Sequence, residues 1–235
     1  MKTRGPASSL LAVALACVAQ ASPARAVSPA TEAAVFRQVG FDQQLDAQVP
    51  LDGVFRDSEG RPVRLGDCLR GKPVILTLVY YECPMLCTLV LNGLVAALKD
   101  VPFDVGREFD IVTLSFNPAE THVLAAGKKE TYLRAYGRAD AAAGWHFLVG
   151  EESAIRPVAD AAGFRHVWDP ETRQYAHAAG IMVLTPEGRI SKYFYGLEYR
   201  PRDVRLGLVE ASRGRIGSSS SATTTTHRRA GTARP

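Results

Sequence analysis

One α/β layered domain is what this sequence predicts, and three observations carry the prediction. Two runs, GKPVILTLVYY and FDIVTLSF, are rich in β-branched and aromatic residues and long enough for strands buried on both faces. Segments with helical patterning alternate with strand patterns along most of the chain. The patterned part closes on a hairpin and a helix, and such alternation builds a sheet layered with helices. With 46% hydrophobic and 22% charged residues over 235 positions, the chain can bury one proper core and still carry tails.

Each element follows in order. Lys2 and Arg4 precede an apolar stretch from Leu10 to Ala19, followed by small-residue sites at Ala19-Gln20-Ala21 and Ala24-Arg25-Ala26. This is the layout of a secretory signal over residues 1–26, and the apolar run is short for a bilayer span. Cys17 after Leu15-Ala16 offers lipid attachment as the alternative to simple cleavage. Residues 27–48 have no clear period and read as a leader. VFRDSEGRPVRLGD turns at Ser58-Glu59-Gly60 and reads as an N-terminal β-hairpin. GKPVILTLVYY is the first central strand, and the helix expected from Pro84 to about Lys99 stops near Asp100-Val101-Pro102. FDIVTLSF is the next strand. A helix is expected over 119–136, a strand over 145–149, a helix over 151–162 and a short strand at GFRHVW. GIMVLTPEGRISKYFYG forms a hairpin around Pro186-Glu187-Gly188, and a helix over 201–212 ends the domain, which thus occupies 49–217. The tail from Ser218 to Pro235 has no apolar period and is expected to be disordered.

Charge and cysteine usage narrow the function. Of the formal net +4, Lys2, Arg4 and Arg25 supply three positive charges. Arg213, Arg215, Arg228, Arg229 and Arg234 supply five with no acid beside them, so the body of the chain is left at −4. A basic nucleic-acid face is excluded on this balance. Beyond Cys17 there remain Cys68, Cys83 and Cys87, an odd number for an exported protein and too few for a disulfide scaffold, so at least one thiol is free or metal-bound.

Cys83 and Cys87 are four apart where a buried-strand pattern meets a helix pattern, with Pro84 between them. At a helix start they would lie one turn apart on one face, where unpaired backbone N–H groups favour thiolates, and Cys83 should be the more acidic. The competing reading is that both are small core hydrophobes. Three intervening residues, where thioredoxin-type redox pairs usually have two, tilt the pair slightly towards a metal.

Among the histidines, His227 lies in the tail and His122 at the exposed start of a helix pattern. His146 and His166 lie in or beside strand patterns, where a hydrogen-bonded structural role is the commoner outcome. His177 sits in the small-residue loop Tyr175-Ala176-His177-Ala178-Ala179-Gly180 before the penultimate strand. In a thioredoxin-like arrangement that loop passes over the cysteine helix and normally carries a substrate-docking proline, and here a histidine is close by. Two thiolates and an imidazole form a soft three-coordinate set suited to copper in either oxidation state, whereas zinc would want a fourth ligand or a catalytic water.

LTLVYYECPMLCTLVLNGL, TLSFNPAET and QYAHAAGIMVLTPEGRISKYFYG together resemble the Sco/SenC family of copper-binding, thioredoxin-like proteins that help assemble cytochrome c oxidase. The resemblance runs from about Leu51 to Gly217. It implies a thioredoxin-like central mixed sheet with flanking helices and one copper ion, Cu(I) or Cu(II), on Cys83, Cys87 and His177. It also implies delivery to the copper-bearing subunit of the oxidase, receipt from another copper chaperone, and a location at the outer face of the cytoplasmic membrane or in the periplasm, through the partner or a lipid anchor. Some members are argued to be thiol-disulfide reductases, which makes Cys83 and Cys87 a redox pair in the alternative reading. A peroxidase resting on Cys83 with Thr88, or a binding module with inert cysteines, are weaker alternatives. The chain departs from the family at Asn117-Pro118, where many members have Asp-Pro, and at Cys68, read as a partly buried loop thiol. It departs again from Ser218 on, where codons read one base out would produce such serine and threonine runs.

Overall fold

The computed structural model describes residues 37–217. The secretory signal, Cys17, most of the leader and the serine- and threonine-rich tail lie outside the described residues. Five strands form the central sheet: β4 (Val74–Val79), β5 (Asp110–Ser115), β6 (Trp145–Leu148), β9 (Gly180–Leu184) and β10 (Ile190–Tyr195). Their order is β10-β9-β4-β5-β6. β4, β5 and β6 run parallel, while β9 is antiparallel to β4 and to β10, so the sheet is mixed. Every residue of β4, β5 and β9 is buried, as expected for central strands covered on both faces.

Four helices follow the strands: α1 (Leu86–Lys99), α2 (His122–Tyr136), α3 (Glu152–Ala161) and α4 (Pro201–Ala211). α1 packs against both α2 and α4, α2 also rests on β6, and α4 covers β9 and β10. Gly93 lets α1 approach the chain beyond β10. A Cβ there would lie 1.8 Å from the carbonyl oxygen of Leu197. The expected N-terminal hairpin is present as β2 (Val54–Arg56) and β3 (Pro62–Arg64), and Arg56 bridges it to Val149 after β6. Cys68 ends a short 3-10 helix over Leu65–Cys68 and is fully buried, where the sequence suggested partial burial.

A second, three-stranded sheet was not anticipated. It consists of β1 (Gly40–Phe41), β7 (Phe164–Asp169) and β8 (Gln174–His177), all antiparallel. Two expectations change with it. Residues from Gly40 belong to the fold rather than to a leader, since Asp42 N–H donates to the Gly163 carbonyl and Asp46 N–H to that of Ile190. His177 is the last residue of a strand, not part of a loop. The turn between β7 and β8 is set by Asp169, whose carboxylate accepts from the Glu171 N–H and the Thr172 hydroxyl, and by Arg173 at φ 55°. An Asp-Pro-Glu-Thr-Arg stretch of that kind is a turn signal between strands.

Candidate metal centre

Strand β4 runs into the cysteine segment without a cap of its own. Glu120 holds the transition: its carboxylate accepts hydrogen bonds from the N–H groups of Tyr81 and Glu82, both at 2.7 Å, and from the Ser115 hydroxyl at 2.6 Å. Buried backbone donors must be satisfied, and here one carboxylate satisfies two. Asn117, at the position where the chain departs from the family's Asp-Pro, accepts from the Ala119 N–H. The carboxylate that organises this corner is therefore Glu120, a residue the sequence reading did not single out.

The helix begins two residues later than expected, at Leu86, with Met85 as its N-terminal boundary at φ −145° and ψ −66°. Cys83 and Pro84 thus precede the first turn. The cause is visible in the hydrogen bonds: the Cys83 Sγ accepts from the Cys87 N–H at 3.3 Å, taking the place of a capping oxygen. The Cys87 Sγ accepts in turn from the Tyr80 N–H at 3.3 Å. Both thiols are buried and neither is in a disulfide.

His177 closes the cluster from the end of β8. Its Nε2 lies 3.2 Å from the Cys87 Sγ, and its Nδ1 lies 2.9 Å from the carbonyl oxygen of Ala178. A carbonyl only accepts, so Nδ1 carries the proton and Nε2 turns its lone pair toward the sulfurs, the tautomer a metal ligand needs. Aromatic rings wall the site: Tyr80, Phe116 and Phe164 all stand beside the imidazole. The donor atoms of Cys83, Cys87 and His177 lie within 4.8 Å of one another. Bond lengths of about 2.0–2.3 Å to one ion place ligand atoms at similar separations, so the residues fit a metal after only small adjustment.

The two thiols are electrically unlike. The Cys83 thiol is held well below its usual range, chiefly by the hydrogen bond from the Cys87 thiol, against burial, with further donation from the backbone N–H groups of Cys87 and Met85. Burial and the neighbouring Cys83 sulfur push Cys87 up. The expectation that Cys83 is the more acidic agrees with this. Tyr80 is pushed up by burial and by its hydroxyl's hydrogen bond to Cys83, so it too belongs to the site, another residue missed in the sequence.

Other candidates stand apart. Cys68 is pushed up to about 12, chiefly by burial, and is an inert thiol. His146 Nε2 and His166 Nδ1 are buried without hydrogen-bond partners, contrary to the hydrogen-bonded role expected for them. His122 lines a cavity of about 400 Å³ with Arg56, Glu120 and Glu151, away from the two cysteines.

The comparisons with known proteins agree with this geometry. The chain resembles a solved protein of Aquifex aeolicus VF5 at 27% identity and TM-score 0.63, covering 73% of this chain and 95% of that one. It is similar in fold to Arabidopsis thaliana ScoI, solved with copper bound, at 19% identity and TM-score 0.57, covering 72% and 99%. Bradyrhizobium japonicum ScoI, also solved with copper bound, gives 20% identity and TM-score 0.53, covering 70% and 98%. No curated protein matches at a significant level. The mixed sheet with its flanking helices is the thioredoxin-like fold of these neighbours. The SCO1/SenC family model spans residues 45–207, from before the hairpin to within the last helix, and the chain belongs to that family.

Proposed function

We propose that this protein binds one copper ion through Cys83, Cys87 and His177 and delivers it to the binuclear copper centre of cytochrome c oxidase during assembly. The observation that carries the reading is the soft donor set of two sulfurs and one imidazole Nε2, gathered within 4.8 Å. Copper-bound ScoI structures and a solved member described as belonging to the Sco family of cytochrome c oxidase assembly proteins support it by analogy. Delivery is ligand exchange: a bond from copper to an acceptor sulfur forms as the bond to His177 Nε2 breaks, and each thiolate then leaves as a further acceptor sulfur or imidazole nitrogen takes its place on copper. Cys87 regains its proton from the incoming acceptor thiol, and copper keeps its oxidation state. The site of action is the periplasm or the outer face of the cytoplasmic membrane, and a second copper chaperone loads the protein. Metal analysis of residues 27–217, with thiols counted before and after chelation, tests the reading. One copper per chain in the wild type and none in Cys83→Ala is expected, and equal stoichiometry in both would overturn it.

The unequal acidity of the pair favours one second reading, a thiol-disulfide oxidoreductase. Cys83 as thiolate attacks a disulfide sulfur, one target sulfur leaves as thiolate, and Cys87 resolves the mixed disulfide, so the target is reduced and the pair oxidised. Rapid reduction of a test disulfide by the metal-free protein, unchanged in His177→Ala, is its expected signature.

A further inference from the structure

Copper held by three buried side chains leaves only if the acceptor's ligands come within bonding distance, so the acceptor must touch the surface directly around them. That surface has an unusual composition. From Cys83 to Leu98 the chain carries no charged residue: Met85 before α1 and Leu89, Asn92 and Ala96 along it face solvent, and the charged Lys99 comes only at the far end of the helix. Met85 is 65% exposed and Leu89 39%. Across a groove of about 340 Å³ lined by Thr88, Asn92, Gly127 and Tyr132, α2 presents Val123, 67% exposed. On the opposite, histidine-bearing side, Trp168 is 47% exposed and pairs across the β7–β8 hairpin with Tyr175. Its ring lies 4.9 Å from that of Tyr175, which in turn lies 5.6 Å from Tyr80. Of the seven exposed large apolar side chains among the described residues, Met85, Leu89 and Trp168 thus lie on the segments that carry or wall the site, and Val123 lines the groove beside α1.

We infer that Met85, Leu89, Val123 and Trp168 form the docking rim for the copper acceptor, and that the matching acceptor surface is an apolar, uncharged polypeptide patch around its own cysteine or histidine ligands. This rests on the delivery reading above. Exposed Met and Trp beside a functional centre have the composition of interface anchors rather than of solvated surface. The small area fits a transient contact, which a handover requires. Glu82 precedes the uncharged run, Lys128 lies in the groove, and Asp169, Glu171 and Arg173 follow Trp168; these charges are of mixed sign and make no single-sign field, so electrostatic steering contributes little and association should respond weakly to salt.

The test uses the metal-free copper-bearing domain of the oxidase as probe, titrated against copper-loaded protein by calorimetry. Met85→Glu, Leu89→Glu and Trp168→Glu should each weaken association by roughly ten-fold or more while keeping one copper per chain. Val54→Glu, at an exposed apolar position of the β2–β3 hairpin, should change nothing. Raising salt from roughly 50 to 300 mM should shift the wild-type affinity less than about three-fold. The surface is refuted if the three variants bind like wild type, if Val54→Glu is equally impaired, or if binding collapses with salt. A wild-type protein that holds copper but does not bind the probe overturns the delivery reading together with the surface.

Discussion

At the scale of single residues, the two thiols and the imidazole contribute unequally to a soft and a harder ion. Thiolates suit Cu(I), while Cu(II) depends more on nitrogen, so His177→Ala should cost Cu(II) affinity on the order of 100-fold and Cu(I) affinity on the order of 10-fold, read by competition with chelators of each state. Glu120 acts one layer further out. Glu120→Ala leaves the N–H groups of Tyr81 and Glu82 without their acceptor, which should cost about 2–3 kcal/mol in urea denaturation and loosen copper binding while leaving both cysteines in place. The ligands were legible because cysteine and histidine are rare and chemically pointed. Glu120 was not, because a carboxylate in a helix-start sequence reads as an exposed residue, and only its contact with a strand end 38 and 39 positions away marks it as buried.

At the scale of elements, helix α1 carries Cys87 and depends on one close approach. Gly93→Ala would set a methyl group 1.8 Å from the Leu197 carbonyl oxygen, a backbone atom that cannot swing aside, so α1 must shift and the domain should lose about 3 kcal/mol, seen as a lowered thermal midpoint and reduced copper loading together. The central strands were legible to within about three residues, since buried parallel strands are continuous apolar runs. Strand β8 was not: Gln174, Tyr175, Ala176 and His177 have neither the length nor the β-branched content of a strand, and they pair with β7 only because the Asp169 turn folds them back. The start of α1 was displaced for a related reason. Pattern and proline pointed to Pro84, but the Cys83 sulfur accepts the Cys87 N–H and the helix begins two residues later than the sequence suggests.

At the scale of the whole molecule, two half-buried histidines contribute to the loss of stability in acid. His146 is pushed down to about 4, chiefly by burial, and burial also lowers His166. A histidine held neutral in the fold takes up its proton more readily when unfolded, so stability is fully present above the unfolded value of 6.5 and is lost as pH falls from there towards 4. Denaturation followed from pH 7 to 4 should show this slope, with His146 contributing at most about 3 kcal/mol, and His146→Leu should flatten it. The fold also fixes where the ligands come from: Cys87 and His177 are 90 positions apart, one from the helix after the central strand and one from the second sheet. An unfolded chain offers copper no assembled set of two sulfurs and an imidazole. Copper and the native state are therefore thermodynamically linked, and free copper at about 100 times its dissociation constant adds up to about 2.7 kcal/mol to folding. The same linkage read in reverse makes bound copper a gauge of folding: a chain that loses its second sheet surrenders the nitrogen ligand, so only intact molecules keep all three ligands on the ion.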